Sequence, residues 1–384
     1  MNTTSKAGIK YSSILLVFFL FLLFPAYFFI YPGSGPAASG DIALHLARQY
    51  GFVFGKDIDS LYGPLGILRS RLPIAVSLTF YLLFDAYFLV TAFMVIRNIL
   101  REHFHYGVIV FIFLAISINM TAALNDWFFF FLLFYVFSFL RTPEKSGYLL
   151  QGSILAVIGL YFRLDTGLFG ALLFLAVVTY SLIRKKLTLG GFCRWILFFL
   201  VAVLVAGWIL HVNLPGYIGT GIHLLSDYGE ARFQAGPEKG KLLFHLAMEM
   251  MVCLFYWIGC LVILAVTRRD GKKADEIFVC LAVMAAAFIY FKSCFVRADD
   301  GQVFRFFAIM SLLIAFFYLN GPEDVWRRVP ILGCWIVLGL STLAVNLDKS
   351  QSKPPVLRLI DLSFIPGRFR AIGTYFSGIW RYRS

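Results

Sequence analysis

Apolar stretches of about 17–25 residues recur along this chain, and a helix of that length crosses the roughly 30 Å hydrocarbon core of a bilayer. Read by length and polarity, the stretches run over 11–31, 73–96, 106–124, 127–140, 148–162, 168–183, 195–214, 245–267, 277–293, 305–320 and 329–346, about eleven in all. Only 14% of the residues are charged, far from the quarter or so usual in soluble proteins. A barrel strand would alternate polar and apolar residues, whereas Phe128 to Phe131 is continuously apolar. The pattern predicts an all-α polytopic transmembrane bundle over 1–346, followed by a basic amphipathic tail over 347–384. Tyr11 to Tyr31 is too long for the apolar core of a signal peptide and has no small-residue cleavage site before its end, so it is expected to stay as an anchor.

A net charge of +13 would suggest a nucleic-acid partner in a soluble protein. Here the bases sit mostly at the ends of apolar stretches, where they orient helices and meet the headgroups of membrane lipids, and no nucleic-acid role is assigned. Of six cysteines, Cys253, Cys260, Cys280 and Cys334 lie inside apolar stretches as small hydrophobes, and no CxxC pair is present. No cofactor is expected and no metal-ligating residue is named, with the need for a divalent metal left open.

With the N-terminus inside, the cytoplasmic connections carry Lys6 and Lys10, Arg97 and Arg101, Arg141 and Lys145, Arg184 to Lys186 with Arg194, Arg268 to Lys273, and Arg327 with Arg328. Each holds at least two bases, as the positive-inside bias requires. That register needs a hairpin at Asn125-Asp126, because one helix cannot use some 35 residues to cross the bilayer. Asp227 and Glu230 then fall in a Gly-rich connection of about 30 residues, long enough to act as a lid.

Further acid-bearing loops fall on the same outer side as this connection. The first outer loop, 32–72, holds Asp41, His45, Asp57 and Asp59; the hairpin tip holds Asp126; Arg163 with Asp165, and Arg297 with Asp299 and Asp300, follow. Asp41, His45 and Arg48 share one stripe of a short helix running to about Tyr50. Asp41 is then either a general base or a plain N-cap, and His45 either a site residue or a hydrogen-bonded histidine. Tyr62-Gly63-Pro64-Leu65-Gly66 forms a rigid turn, with Arg69 and Arg71 beyond it as site or snorkelling bases. Arg163 and Arg297 either grip a phosphate through the guanidinium fork or clamp Asp165 and Asp299. Asp85, near the middle of the 73–96 stretch, is a functional or bundle-packing acid.

These residues resemble the GT-C superfamily of polytopic glycosyltransferases over about 1–346. The likeness rests on Gly40-Asp41 in a long first outer loop, on Tyr62-Gly63-Pro64-Leu65, on Phe162-Arg163-Leu164-Asp165-Thr166-Gly167 and on Val296-Arg297-Ala298-Asp299-Asp300-Gly301. The chain departs from many members in having Ile42 after Asp41, Gln302 after the last motif and a short tail. The resemblance implies that Asp41 accepts the proton of an acceptor hydroxyl. It also implies that outer-loop cations hold the leaving phosphate of a polyprenyl-phosphate sugar, with His45, Arg48, Tyr62, Asp126, Arg163, Asp165, Arg297, Asp299 and Asp300 lining the site.

The function expected is transfer of a sugar from a polyprenyl-phosphate donor to a glycan, lipid or protein acceptor, with inversion, at the outer face of a bacterial cytoplasmic membrane. An outer-face polymerase or ligase of lipid-linked glycans would share the donor chemistry. The alternative of another class is a transporter or flippase for an anionic or lipid-linked substrate, built around Asp85.

Overall fold

The computed structural model describes residues 36–70, 72, 78–102, 124–230, 273–295, 306 and 309. The expected stretches at 11–31, 106–124, 245–267 and 329–346, most of 305–320 and the tail lie outside the described residues. Within them the chain is all-helical, with isolated bridges and no strand. The helices are α1 (Pro36–Tyr50), α2 (Ile67–Ser70), α3 (Leu78–Glu102), α4 (Leu124–Arg141), α5 (Gly147–Phe162), α6 (Leu164–Ile183), α7 (Leu189–Ile209), α8 (Leu214–Glu230) and α9 (Lys273–Phe295). By length and composition α3, α4, α6 and α7 can each cross a bilayer, and α5 and the Ile277–Ser293 part of α9 are shorter apolar segments. The chain is an integral membrane protein.

Two compact units emerge, one holding the described residues of Met1–Phe52 and Pro64–Phe131, the other those of Val53–Gly63 and Leu132–Ser350. In the first, α1 begins on Pro36, which lacks the N–H that a first helical turn leaves unpaired. It ends on Gly51 at φ +70, where the Phe52 N–H reaches back to the Ala47 carbonyl at 2.9 Å, a Schellman closure that satisfies the last turn. Further along, Phe84, Tyr87 and Phe88 of α3 gather around Phe128, at centroid distances of 5.1, 6.4 and 5.3 Å. Aromatic rings bury more surface per residue than aliphatic side chains, so this four-ring cluster is the core of the unit.

In the second unit α5 and α6 meet at a corner of one extended residue, Arg163. Gly159 and Gly167 let the corner close: a methyl on Gly167 would occupy the space of the Gly159 carbonyl. The side chain of Phe199, one of the buried residues Phe199, Val203 and Gly207 spaced four apart on α7, packs on Phe174 at 5.0 Å. The Tyr161 hydroxyl donates to the Val203 carbonyl at 2.6 Å. The rest of α7 carries Leu197, Leu200, Val201, Leu204, Trp208 and Ile209 exposed, an apolar surface suited to lipid rather than water.

Three expectations change. The Gly-rich connection expected as a lid is helical over Leu214–Glu230, because Gly216 and Gly221 sit against the Gly55 carbonyl and the Leu164 side chain, where their missing Cβ permits close packing. Asn125 and Asp126, expected at an outer hairpin tip whose first arm lies outside the described residues, are buried in the first turn of α4, at 4% and 3% exposure. The span expected from residue 168 starts at Leu164, since the Asp165 carboxylate accepts the Thr166 N–H at 2.7 Å and stabilises an earlier helix start.

Candidate functional site

Asp41 lies in the second turn of α1, five residues past its start, so it is no N-cap. Its carboxyl is half-buried, and burial pushes it above the usual carboxylate range against the opposing pull of Arg69. One turn on, His45 is fully buried rather than facing outward with Asp41. Its Nε2 accepts the Leu72 N–H at 3.3 Å and lies 3.0 Å from Ser70 Oγ. A backbone N–H can only donate, so Nε2 carries no proton and the neutral ring holds its hydrogen on Nδ1. Arg48, a further turn along, is exposed and stacks its guanidinium 5.0 Å from the Phe80 ring centroid. The expected single stripe is thus divided: Asp41 at the boundary, His45 inside, Arg48 outside.

In the second unit the structure brings two sequence motifs together. Tyr62 and Arg163 form an antiparallel bridge, flanked by the Leu164 N–H to Leu61 carbonyl bond at 2.8 Å and the Gly63 N–H to Phe162 carbonyl bond at 3.2 Å. The Arg163 guanidinium stands 5.5 Å from the Tyr62 ring centroid. Its Nη2 donates to Asp165 Oδ2 at 2.7 Å and to Ser293 Oγ at 2.5 Å, and that hydroxyl donates to Asp165 Oδ2 at 3.1 Å. Both charged side chains are buried, at 10% and 6% exposure. The clamp is the arrangement present. Beside it, burial and then the Asp165 charge push the Tyr217 phenol up, so its hydroxyl stays protonated and donates to the Leu160 carbonyl at 3.1 Å.

The opposite end of α6, 20 residues or about 30 Å away, has different chemistry. Lys186 Nζ donates at 2.6 Å both to Asp275 Oδ2 and to the Leu140 carbonyl, and the Tyr180 hydroxyl bonds Asp275 Oδ1 at 2.7 Å. Arg141, Lys145, Arg184 and Lys185 are exposed there. Bases therefore crowd one end of the unit, while Asp57, Asp59 and the Arg163–Asp165 pair lie along the segments at the other.

Of the remaining expected site residues, Asp126 is buried in the first turn of α4, and Arg297, Asp299 and Asp300 lie outside the described residues. Asp85 is 2% exposed within α3, one turn after Tyr81, whose hydroxyl donates to the Leu72 carbonyl at 3.4 Å. One participant was not expected. Ser293 is 130 residues from Arg163, a separation at which nothing in local sequence marks a pair. Arg69 was visible only as a base beyond a turn. Among the described residues no group of His, Cys, Asp or Glu is arranged to hold a metal ion. No family model, curated protein or solved structure matches this chain.

Proposed function

We propose that the protein is a membrane glycosyltransferase of GT-C type, with about eleven spans, that moves a sugar from a polyprenyl-phosphate donor to a glycan, lipid or protein acceptor at the outer face of a bacterial cytoplasmic membrane. The observation that carries this is the setting of Asp41: a half-buried carboxyl, raised above its ordinary range, on an amphipathic helix outside the long apolar helices. A general base works best when its proton affinity is closer to that of its surroundings than an ordinary aspartate's, and partial burial supplies that shift.

In the proposed step Asp41 takes the proton of the acceptor hydroxyl as its oxygen attacks the anomeric carbon. The bond from that carbon to the phosphate oxygen breaks, configuration inverts, and the electron pair leaves on polyprenyl phosphate. Arg48, exposed two turns from Asp41, offers the leaving phosphate a guanidinium that rests on the face of the Phe80 ring. Arg163, with Nη2 committed to Asp165 and Ser293, serves better to hold Tyr62 and the helix corner in place. Arg297, Asp299 and Asp300 remain the second cation and acid group of the proposal.

The test uses purified protein in detergent, where no two compartments exist, with polyprenyl-phosphate sugars and a panel of acceptors. Release of polyprenyl phosphate coupled to a larger glycan, abolished by Asp41→Asn, supports transfer. The transporter alternative draws on Asp85, buried in an apolar helix. Vesicle uptake that requires Asp85, with no new glycosidic bond from any donor, overturns transfer in its favour.

A further inference from the structure

Three features fix the surroundings of Asp41. His45, one turn along the same helix, is fully buried and engages Ser70 Oγ and the Leu72 N–H, which ties the segment 67–72 to α1. Arg69 is the residue next to Ser70 on that segment, and it is half-buried rather than extended into solvent. Among the described residues, the elements packed most extensively on α1 are α2 and the 3-10 turn Pro64–Gly66. The turn has no ionisable side chain, and Arg69 is the only one on α2. On α1 itself the other groups are His45, neutral by its Leu72 contact, Arg48, directed to Phe80, and Tyr50. Among these groups the permanent charge positioned to act on Asp41 is therefore Arg69.

We infer that Arg69 is a positioning residue for Asp41: carried on a segment latched to α1 through His45, its guanidinium keeps the carboxyl in the proton-accepting form despite burial. The inference rests on Asp41 as the base of the proposed transfer and adds the group that sets its working pH. A carboxyl moved into a half-buried site without a neighbouring cation would be protonated over more of the neutral range and would be a poorer base there. The buried histidine then has a role of its own. It sets the place of Arg69 without touching substrate.

The experiment follows the protonated-carboxyl infrared band of Asp41, assigned by subtracting Asp41→Asn, through a pH titration of the full chain in nanodiscs. Arg69→Gln should raise the midpoint by about one pH unit, the lower end of what a neighbouring opposite charge confers. Arg69→Lys should hold it near the wild-type value, and Ser70→Ala, which weakens the latch, should raise it by less than Arg69→Gln. Arg69→Met takes the place of the glutamine variant if that one does not fold. An unchanged midpoint in the uncharged variant, or an equal rise in Arg69→Lys, overturns the inference. The readout needs no catalysis. If the band shifts as expected while no donor is turned over at any pH, the coupling stands and the transferase proposal falls. If transfer has an acidic limb that Arg69→Gln leaves in place, the transferase stands and the coupling falls.

Discussion

Asp41 with Arg48 and Asp165 with Arg163 are the same two residue types on helices of the same protein, and their surroundings separate them. Asp165 and Arg163 are two residues apart at a helix corner, buried, and bonded to one another and to Ser293. Asp41 and Arg48 are seven apart on a continuous helix, one half-buried and the other exposed over a ring. A spacing of two across a corner lets the charges satisfy each other, and a buried pair of that kind is costly to break yet has little left to offer a ligand. A spacing of seven along the helix leaves the charges about 10 Å apart, too far to neutralise each other. The first arrangement builds the fold, and the second is open to chemistry.

The sharpest way to break this contrast is all-or-none. In a chain with all six native cysteines replaced by Ser, single cysteines at the exposed Lys56 and Lys185 should react with an impermeant thiol reagent from opposite sides of the membrane, Lys56 from outside. Labelling of both from one side would remove the two-ended organisation of the second unit. Next in size, Asp41→Asn should lower transfer about 10²–10⁴-fold. It should not lower thermal stability at neutral pH, because a carboxyl raised by burial favours folding in its protonated form and loses that advantage as pH climbs through its folded midpoint. Activity within a few-fold of wild type would return Asp41 to a structural role.

Arg163→Ala should have the opposite profile. By leaving Asp165 buried without its cation it should cost about 3–5 kcal/mol of stability in a thermal or denaturant melt, whereas Arg48→Ala should stay within about 0.5 kcal/mol. Equal effects from the two would erase the distinction. A smaller loss than that of Arg163→Ala is expected from Gly167→Ala. Its methyl meets the Gly159 carbonyl across the corner, and overpacking of this sort costs about 1–3 kcal/mol, measurable in the same melt.

Much of the helical frame could be read ahead of the structure because lipid imposes length and apolarity on a span: 127–140 became Leu124–Arg141, and 148–162 became Gly147–Phe162. Tyr62 and Arg163, expected on one face from loop parity, proved to be bridged. What remained hidden depended on tertiary context. Helical periodicity placed His45 beside Asp41, but it contains no term for a partner segment 25 residues away that turns the imidazole inward. The glycines of 214–230 looked like loop residues because their composition is the same whether they permit bending or close packing.

The one-residue corner at Arg163 has a consequence for how this chain can change. A residue added or lost just after it would swing α6 by roughly 100° about its axis, since each residue advances a helix by that angle. Phe174 would leave Phe199, Tyr180 and Lys186 would leave Asp275, and contacts at both ends of the helix would fail together. Loops elsewhere can absorb such a step. Here there is no slack, so the chain's length at this point is as constrained as its side chains.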